Sequence, residues 1–241
     1  MKAVRLIINW GAIMPKPLKV LNGVFLVGDA YLSHPTDCCV YLVDAGSTLV
    51  LVDAGTGLGF RKIVQNIKSL GYNPEEIGFL IATHKHIDHV GGCHAFKEKF
   101  KCKIIMHELD AEALESGDQF TTGAELYGVK LQPCTVDVKI SETALTRFGN
   151  LDFHLIHSPG HTPGSISVLV EVEGKRVLFG QDIHGPIEPS WGADVNQYCS
   201  SMRHLLSLNA DVLCEGHYGI YRPAEKVKEY IERYMEAYGC L

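Results

Sequence analysis

The sequence predicts a single α/β domain in which two β-sheets lie face to face and helices cover their outer surfaces. The length of 241 residues suits one domain of this class, since α/β folds exceed the usual domain size without dividing. Apolar residues make up 46% of the chain and charged residues 21%, which supplies a large core. Strand-like segments form two groups along the chain, each followed by helix-like segments. No repeat or linker divides residues 1–241 further.

The first group of strand-like segments is short, rich in β-branched residues and separated by Gly, Asn, Asp and Pro. A helix is predicted after this group, because Ile63, Ile67 and Leu70 form one apolar stripe that ends at Gly71. The predicted strands are Val4–Ile8, Val24–Val27, Cys39–Val43, Leu49–Val52, Ile77–Ala82 and Lys103–Met106. The predicted helices of this half are Phe60–Leu70, Cys93–Lys99 and Glu108–Glu115.

The second half begins after a glycine-rich, weakly periodic segment at 116–135, which we interpret as a surface excursion near the functional site. The predicted strands that follow are Val136–Ile140, Leu151–Ile156, Ser167–Val172, Arg176–Phe179 and Asp211–Cys214. The predicted helices are Val195–Leu208 and Ala224–Ala237.

The strongest functional signal directly follows the predicted strand Ile77–Ala82. Four metal-capable side chains lie within six residues there, in the sequence Thr83-His84-Lys85-His86-Ile87-Asp88-His89. Imidazole and carboxylate groups are the usual ligands of a hydrolytic zinc site. His84 and His86 point the same way in extended backbone, whereas Asp88 and His89 follow at a turn and cannot easily serve the same ion. The spacing therefore indicates two metals.

Further candidate ligands follow other predicted strands. His161 lies between Pro-Gly and Thr-Pro-Gly, a loop with few accessible backbone states that holds the ring in position. Asp182 and His217 each follow the end of a predicted strand, and so does the carboxylate of Asp53. Loops from different strands converge at a sheet edge, so we expect these residues to join the first four.

Together these residues resemble the metallo-β-lactamase-fold hydrolase superfamily, over nearly the whole chain and in that family's order. The resemblance implies an α+β fold, an αββα four-layer sandwich of two mixed sheets, with a dinuclear metal site between the sheets. It implies two divalent metal ions, Zn²⁺ first, with Fe or Mn as alternatives. The implied ligands are His84, His86 and His161 for one metal, Asp88, His89 and His217 for the other, and Asp182 as a bridge. Asp53 would orient the histidine loop by hydrogen bonds.

Several differences from the usual residues of the family indicate which of its branches the chain resembles. True β-lactamases of this fold carry Cys or Ser at the position of Asp182, so antibiotic hydrolysis is not expected. The flavodiiron branch has Glu where His86 lies. Glyoxalase II adds a C-terminal domain that binds glutathione, and the chain after His217 is too short for one. Gly-Gln-Asp at 180–182 replaces the more usual Thr-Gly-Asp and changes the neighbours of the ligand. We therefore expect a single-domain, lactonase-like or glyoxalase II-like member.

The expected reaction is metal-dependent hydrolysis of a small ester, lactone or thioester. Two cations that share a water lower its pKa and supply hydroxide near neutral pH. One cation also binds the substrate oxygen and stabilises the charge that develops during attack. Asp88 is the expected catalytic residue, since it can accept a proton from the hydroxide and pass it to the leaving group.

Three other functions are compatible with parts of the pattern. A mononuclear non-haem iron persulfide dioxygenase would use His84 or His86, together with His161 and Asp182, and would take up oxygen. A phosphodiesterase or ribonuclease is disfavoured by the formal charge of −6 and the lack of a basic arm. A non-catalytic binding module would have little need for seven ligand-type residues.

Five residues in loops near the same edge are candidates for the substrate pocket: His184, Trp191, Tyr218, Tyr31 and His34. Tyr221 is a further candidate, and the remaining histidines are expected to be structural.

The expected partner is a small-molecule substrate, with neither nucleic acid nor membrane. No secretory signal is recognisable at Met1–Trp10, so a cytoplasmic location is expected. The eight cysteines are therefore expected to be reduced core residues, although a hyperthermophilic source would make disulfides credible. A homodimer is possible through the apolar N-terminal strand or the C-terminal helix, and either of these can equally be core.

Overall fold

The first of two β-sheets has seven strands, which lie in the sheet in chain order. It comprises β1 (Leu18–Leu21), β2 (Val24–Gly28), β3 (Val40–Asp44), β4 (Leu49–Val52), β5 (Ile77–Ile81), β6 (Lys103–His107) and β7 (Val138–Ile140). Neighbours from β1 to β4 are antiparallel, and those from β4 to β7 are parallel. These elements belong to a computed structural model that describes residues 15–241.

The second sheet has six strands in the order β13-β12-β11-β10-β9-β8. It comprises β8 (Ala144–Phe148), β9 (Leu151–His157), β10 (Ile166–Val172), β11 (Lys175–Gln181), β12 (Val212–Glu215) and β13 (Ile220–Tyr221). The pair β11–β12 is parallel and the other pairs are antiparallel. Both sheets are therefore mixed, as predicted.

Helices cover the outer side of each sheet. Those of the first half are α1 (Phe60–Ser69), α2 (Ile87–Val90), α3 (Cys93–Phe100), α4 (Glu108–Ser116) and α5 (Ala124–Tyr127). Those of the second half are α6 (Val195–Ser207) and α7 (Ala224–Ala237).

Alternate residues of the strands serve two different cores. In β3, Val40 and Leu42 pack toward the helices of the first half, whereas Tyr41 and Val43 pack between the two sheets. This double burial explains why β3 and β4 are continuously apolar rather than alternating. A third core lies between the second sheet and α6 and α7. The three cores separate four layers, so the predicted αββα sandwich is confirmed.

Most predicted elements end within two residues of the observed ones, and β4 and α7 have the predicted bounds. Sequence patterns missed the edge strands β1, β8 and β13, because these are short or partly exposed. They also missed α2 and α5, which span four residues each. The predicted strand Val4–Ile8 lies outside the described residues.

One disulfide corrects the expectation that all cysteines are reduced. Cys199 in α6 and Cys240 after α7 are bonded, with their Cα atoms 5.1 Å apart. The two cysteines meet because α6 and α7 pack against each other on the second sheet. The remaining six cysteines are free and buried, as predicted.

The tyrosines of α7 face this chain's own core. Tyr230 is buried there, and Tyr234 and Tyr238 pack beside it. The possible homodimer stays a prediction. Within residues 15–241, no helix is long and apolar enough to cross a bilayer.

Candidate metal centre

The site lies at one edge of the sandwich, where strands of both sheets end. Asp53 follows β4 and the segment Thr83–His89 follows β5, which is parallel to β4. Asp182 follows β11 and His217 follows β12, another parallel pair. His161 follows β9, which runs in the same direction as β11 because both are antiparallel to β10. All seven predicted ligands are thereby brought together.

The first ligand set consists of His84, His86 and His161. His86 Nδ1 lies 3.1 Å from His84 Nε2 and 2.9 Å from His161 Nε2. Asp182 Oδ2 lies 3.9 Å from His84 Nε2 and 3.5 Å from His161 Nε2. These four side chains offer one ligand atom each within 4.8 Å of one another.

The second ligand set consists of Asp88, His89 and His217. His217 Nε2 lies 3.2 Å from Asp88 Oδ2 and 3.3 Å from His89 Nε2. Asp182 reaches this set too, with Oδ1 3.2 Å from His89 Nε2 and Oδ2 3.4 Å from His217 Nε2. Asp182 therefore lies between the two ligand sets, within reach of both.

Hydrogen bonds on the far side of the rings assign their tautomers. His161 Nδ1 is 2.8 Å from the carbonyl oxygen of Pro186, and His89 Nδ1 is 2.8 Å from Asp53 Oδ2. A carbonyl and a carboxylate only accept, so each Nδ1 carries the hydrogen that it donates. When the ring is neutral, its Nε2 atom presents a lone pair to the centre of the site, as a metal ligand must.

The converging atoms fit divalent cations. His86 Nδ1 faces both His84 Nε2 and His161 Nε2 at about 3 Å, and it carries at most one hydrogen, so it cannot satisfy both neighbours by hydrogen bonds. Asp182 Oδ1 is buried without a hydrogen bond, which is costly for a carboxylate oxygen. A cation that accepts nitrogen and oxygen donors satisfies both groups of atoms at once, and Zn²⁺ is such a cation. The residues present therefore suit divalent metal ions.

The histidines of the two ligand sets differ in their pKa values. Burial, and then the neighbouring His161, lowers the pKa of His86 to about 3. Burial likewise lowers the pKa values of His84 and His161, so the first set is neutral at pH 7. Burial also disfavours a charged His217, but Asp182 and Asp88 outweigh it and raise the pKa of His217 to about 10. The first set is thus ready to bind a metal, whereas the second must release a proton to do so.

Asp53 orients the motif segment, as the resemblance implies. One oxygen accepts from the backbone N–H of Thr83 at 2.8 Å, and the other accepts from the Thr83 hydroxyl at 2.9 Å and from His89 Nδ1. Asp53 adopts a left-handed backbone conformation with φ of 63°, which is unfavourable for a residue with a side chain. Such strain is typical of functional sites.

Gln181 and Gly216 both lie in direct contact with Asp182. The side-chain oxygen of Gln181 accepts a hydrogen bond from the backbone N–H of Asp182 at 2.8 Å. This contact is available because the chain has Gln181 before the aspartate, where the family more usually has glycine. A Cβ added at Gly216 would lie 2.2 Å from Asp182 Oδ1, so only glycine lets the loop after β12 pass the carboxylate.

Asp110, which sequence patterns did not identify, links two ligand loops. It is fully buried at the start of α4. Its carboxylate accepts from the backbone N–H of Lys85, between His84 and His86, at 3.0 Å. It also accepts from the Thr162 hydroxyl at 2.6 Å and from the N–H of Gly164 at 2.9 Å, on the loop that carries His161.

The predicted pocket residues divide into two groups. His184, Trp191, Tyr218 and Tyr31 line a cavity of about 630 Å³ that opens above Asp88 and Asp182. His34 does not line it, since its Nδ1 is 2.7 Å from the Thr36 hydroxyl instead. Tyr221 lies in β13 and packs against Tyr230, with ring centroids 4.1 Å apart.

Other residues in or beside this cavity carried no sequence signal. Buried Glu215 is 2.8 Å from His184 Nδ1 and accepts from the backbone N–H groups of His217 and Tyr218. Leu126 and Tyr127 of α5 form one wall, so the segment 116–135 does lie near the site. Each is an ordinary residue type whose role depends on tertiary placement.

A sequence model of the metallo-beta-lactamase superfamily matches residues 35–217. The chain belongs to the metallo-beta-lactamase superfamily. The matched range includes Asp53, Asp110 and all seven predicted ligands.

Relatives of this superfamily member include several enzymes. A probable metallo-hydrolase of Methanocaldococcus jannaschii is 32% identical over 186 residues, which cover 73% of this chain and 85% of the relative. An N-acyl homoserine lactonase of a Bacillus species is 30% identical over 112 residues, covering 46% of this chain and 40% of the lactonase. An acyl-coenzyme A thioesterase of Bos taurus is 24% identical over 186 residues, covering 67% of this chain and 63% of the thioesterase. The matches span less than two thirds of the lactonase and the thioesterase.

Solved structures of the superfamily share the fold. A metallo-beta-lactamase of Cronobacter sakazakii aligns with a TM-score of 0.79 at 21% identity, over 93% of this chain and 96% of that one. A class B3 di-zinc metallo-beta-lactamase from an Alaskan soil metagenome aligns with a TM-score of 0.77 at 20% identity, over 93% of this chain and 92% of that one. At this identity the likeness concerns the fold and not the substrate.

Proposed function

We propose that this superfamily member hydrolyses an ester, lactone or thioester of a small molecule with two divalent metal ions, Zn²⁺ foremost. The observation that carries the proposal is the position of Asp182, within 4 Å of ligand nitrogens from both sets. A single carboxylate within reach of both ligand sets can bind two neighbouring cations at once.

The residues that would hold the metals are the two ligand sets with Asp182 between them. When bound, such a metal pair lowers the pKa of a shared water toward neutrality and polarises the substrate oxygen. The chain itself supplies rigidity: the rings of His89 and His161 are fixed by Asp53 and the Pro186 carbonyl, and the two ligand loops by Asp110.

Asp88 is the proposed proton carrier. It lines the cavity, so a substrate can approach it. Burial would raise the pKa of Asp88, but the nearby His89 and His217 lower it below its usual value. An ionised carboxylate in this place accepts a proton from water and returns it to the departing oxygen or sulfur.

The names of two relatives favour this bond class. One is described as an N-acyl homoserine lactonase and the other as an acyl-coenzyme A thioesterase, and both descriptions involve cleavage of an acyl bond. Their identity to this chain is low, so the proposal rests first on the geometry of the site.

The test is metal analysis of the purified protein beside an activity screen on aryl esters, lactones and thioesters. We expect about two ions per chain and turnover of at least one substrate class. Asp182→Asn and His86→Ala should lose metal and turnover together, because each removes a buried ligand. His154→Ala, which replaces an exposed histidine of β9, is the matched control and should keep both.

Full activity in Asp182→Asn would refute the proposal. A single iron with oxygen uptake and no hydrolysis would favour the persulfide dioxygenase instead.

A further inference from the structure

The walls of the cavity above the metal centre are apolar and aromatic. Leu126 and Tyr127 from α5 form one side, and Tyr31, Trp191 and Tyr218 form others. The polar ligands lie at the floor of this cavity of about 630 Å³. Apolar walls with few polar groups at one end are the usual form of a small-molecule site.

Three of these side chains are unusually exposed for their type. Tyr31 is 86% exposed, Leu126 72% and Tyr218 60%. Single exposed apolar residues are common, but here three of them surround one opening that leads to a reactive centre. Such a concentration marks a surface that binds an apolar partner.

The charge of the cavity excludes one kind of partner. Among the described residues that line it there is no Lys and no Arg, whereas Asp88 and Asp182 are both acidic. Phosphate groups are recognised by arginine, lysine or clustered N–H donors. A polyanionic substrate would therefore find no lysine or arginine along these walls to bind its phosphates, and the chain as a whole has a formal charge of −6 at pH 7.

The walls are fixed relative to the metal ligands. The carbonyl of Thr122, just before α5, accepts from the backbone N–H of Ile87 at 2.8 Å, next to His86 and Asp88. The Trp191 ring centroid lies 5.3 Å from that of His86. The apolar surface is therefore preformed at a set distance from the reacting atoms, which is the condition for selecting a substrate by its apolar part.

We propose that the cavity selects uncharged esters and lactones that carry an apolar acyl chain, which lies along Leu126, Tyr127 and Tyr31 while the carbonyl sits over Asp88 and Asp182. This inference rests on the proposed hydrolase function. In the reaction the oxygen of water bonds to the carbonyl carbon, the acyl C–O bond breaks, and a proton of that water passes to the leaving oxygen. A coenzyme A thioester with the same acyl chain is disfavoured, because the cavity walls offer no lysine or arginine to bind its phosphates.

The test measures kcat/KM for p-nitrophenyl esters from acetate to decanoate, and for decanoyl-coenzyme A. We expect the decanoate ester to exceed the acetate by about tenfold or more, and to exceed the coenzyme A thioester. Leu126→Ser and Tyr31→Ser should lower kcat/KM for the decanoate more than for the acetate. Leu145→Ser replaces a leucine of β8 that is 65% exposed and lies outside the cavity. It is the matched control and should keep the parent ratio.

A second measurement distinguishes the proposed hydrolase function from the proposed preference for an apolar acyl chain. A non-hydrolysable decanoyl amide should bind more tightly than the acetyl amide, and Leu126→Ser should reduce that difference. Tight decanoyl amide binding without turnover of any ester, lactone or thioester would refute the proposed function and leave the apolar site standing. Turnover that is flat with chain length, or as fast on the coenzyme A thioester, would overturn the inference and leave the function standing. A changed oligomeric state in Leu126→Ser with an unchanged chain-length ratio would also overturn it, since the surface would then be an interface.

Discussion

Asp110 holds together the two loops that carry all three histidines of the first ligand set. Its three hydrogen bonds are charge-assisted and buried, and two of them end on backbone N–H groups. Without the carboxylate those N–H groups would stay buried and unpaired, which costs free energy and frees the loops to move apart.

We therefore predict that Asp110→Ala weakens metal binding by about 10- to 100-fold and lowers the free energy of unfolding by about 3 kcal/mol. Metal affinity is measured by competition with a chelator, and stability by urea denaturation of the metal-free protein. Glu112→Ala, an exposed position of the same helix, is the control and should change neither quantity. Unchanged metal affinity in Asp110→Ala would show that the loops hold their positions without it.

Among individual residues, those predictable from the sequence are the ones whose type and spacing are typical of a metal site. The seven candidate ligands are recognisable because four of them lie in one short segment and the others follow strand ends. Asp110 and Glu215 were not recognisable. Their partners are mainly backbone N–H groups and side chains distant along the chain, which no local pattern encodes.

Among the elements, α6 and α7 depend on each other through the Cys199–Cys240 disulfide. The bond closes a segment of 41 residues that includes β12 and the metal-site loop after it. Arg203 of α6 also donates to the Cys240 carbonyl at 2.6 Å, and the Tyr238 hydroxyl donates to the carbonyl of His184 at 3.0 Å. The end of the chain is thereby attached both to α6 and to the cavity.

Reduction of this disulfide should lower the free energy of unfolding by about 2–4 kcal/mol, because the unfolded chain gains conformational entropy when the loop opens. The measurement is guanidinium denaturation with and without reductant. The double variant Cys199→Ala/Cys240→Ala should unfold at the same denaturant concentration with or without reductant. A reductant effect that persists in the double variant would assign it to another cause.

Elements were predictable where burial acts on many consecutive residues. The central strands are continuously apolar and α7 has a regular apolar stripe, so their bounds were close or correct. The edge strands and the four-residue helix α5 are determined by neighbours in space, and neither their composition nor their length distinguishes them from loops.

For the whole molecule, each ligand set includes residues that follow strands of both sheets. His84 and His86 follow β5 of the first sheet, whereas His161 and Asp182 follow β9 and β11 of the second. A bound metal would therefore contact both sheets of the folded protein, and the unfolded chain offers no such arrangement of ligands.

Metal removal should consequently lower the melting temperature. With free metal about 1,000-fold above its dissociation constant, the stabilisation is about 4 kcal/mol, or roughly 10 °C for a chain of this size. The measurement is thermal unfolding with a chelator and after addition of Zn²⁺. The shift should be smaller in His161→Ala, which removes a ligand of the first set, and should keep its full size in His154→Ala. Equal melting temperatures with and without metal would contradict binding between the sheets.

The two sheets are joined in sequence by the exposed residues 141–143, between β7 and β8. Cutting the backbone there would give two fragments, and neither would contain a complete ligand set. The amount of tightly bound metal in a mixture of the fragments would then measure how much of the protein had reassembled.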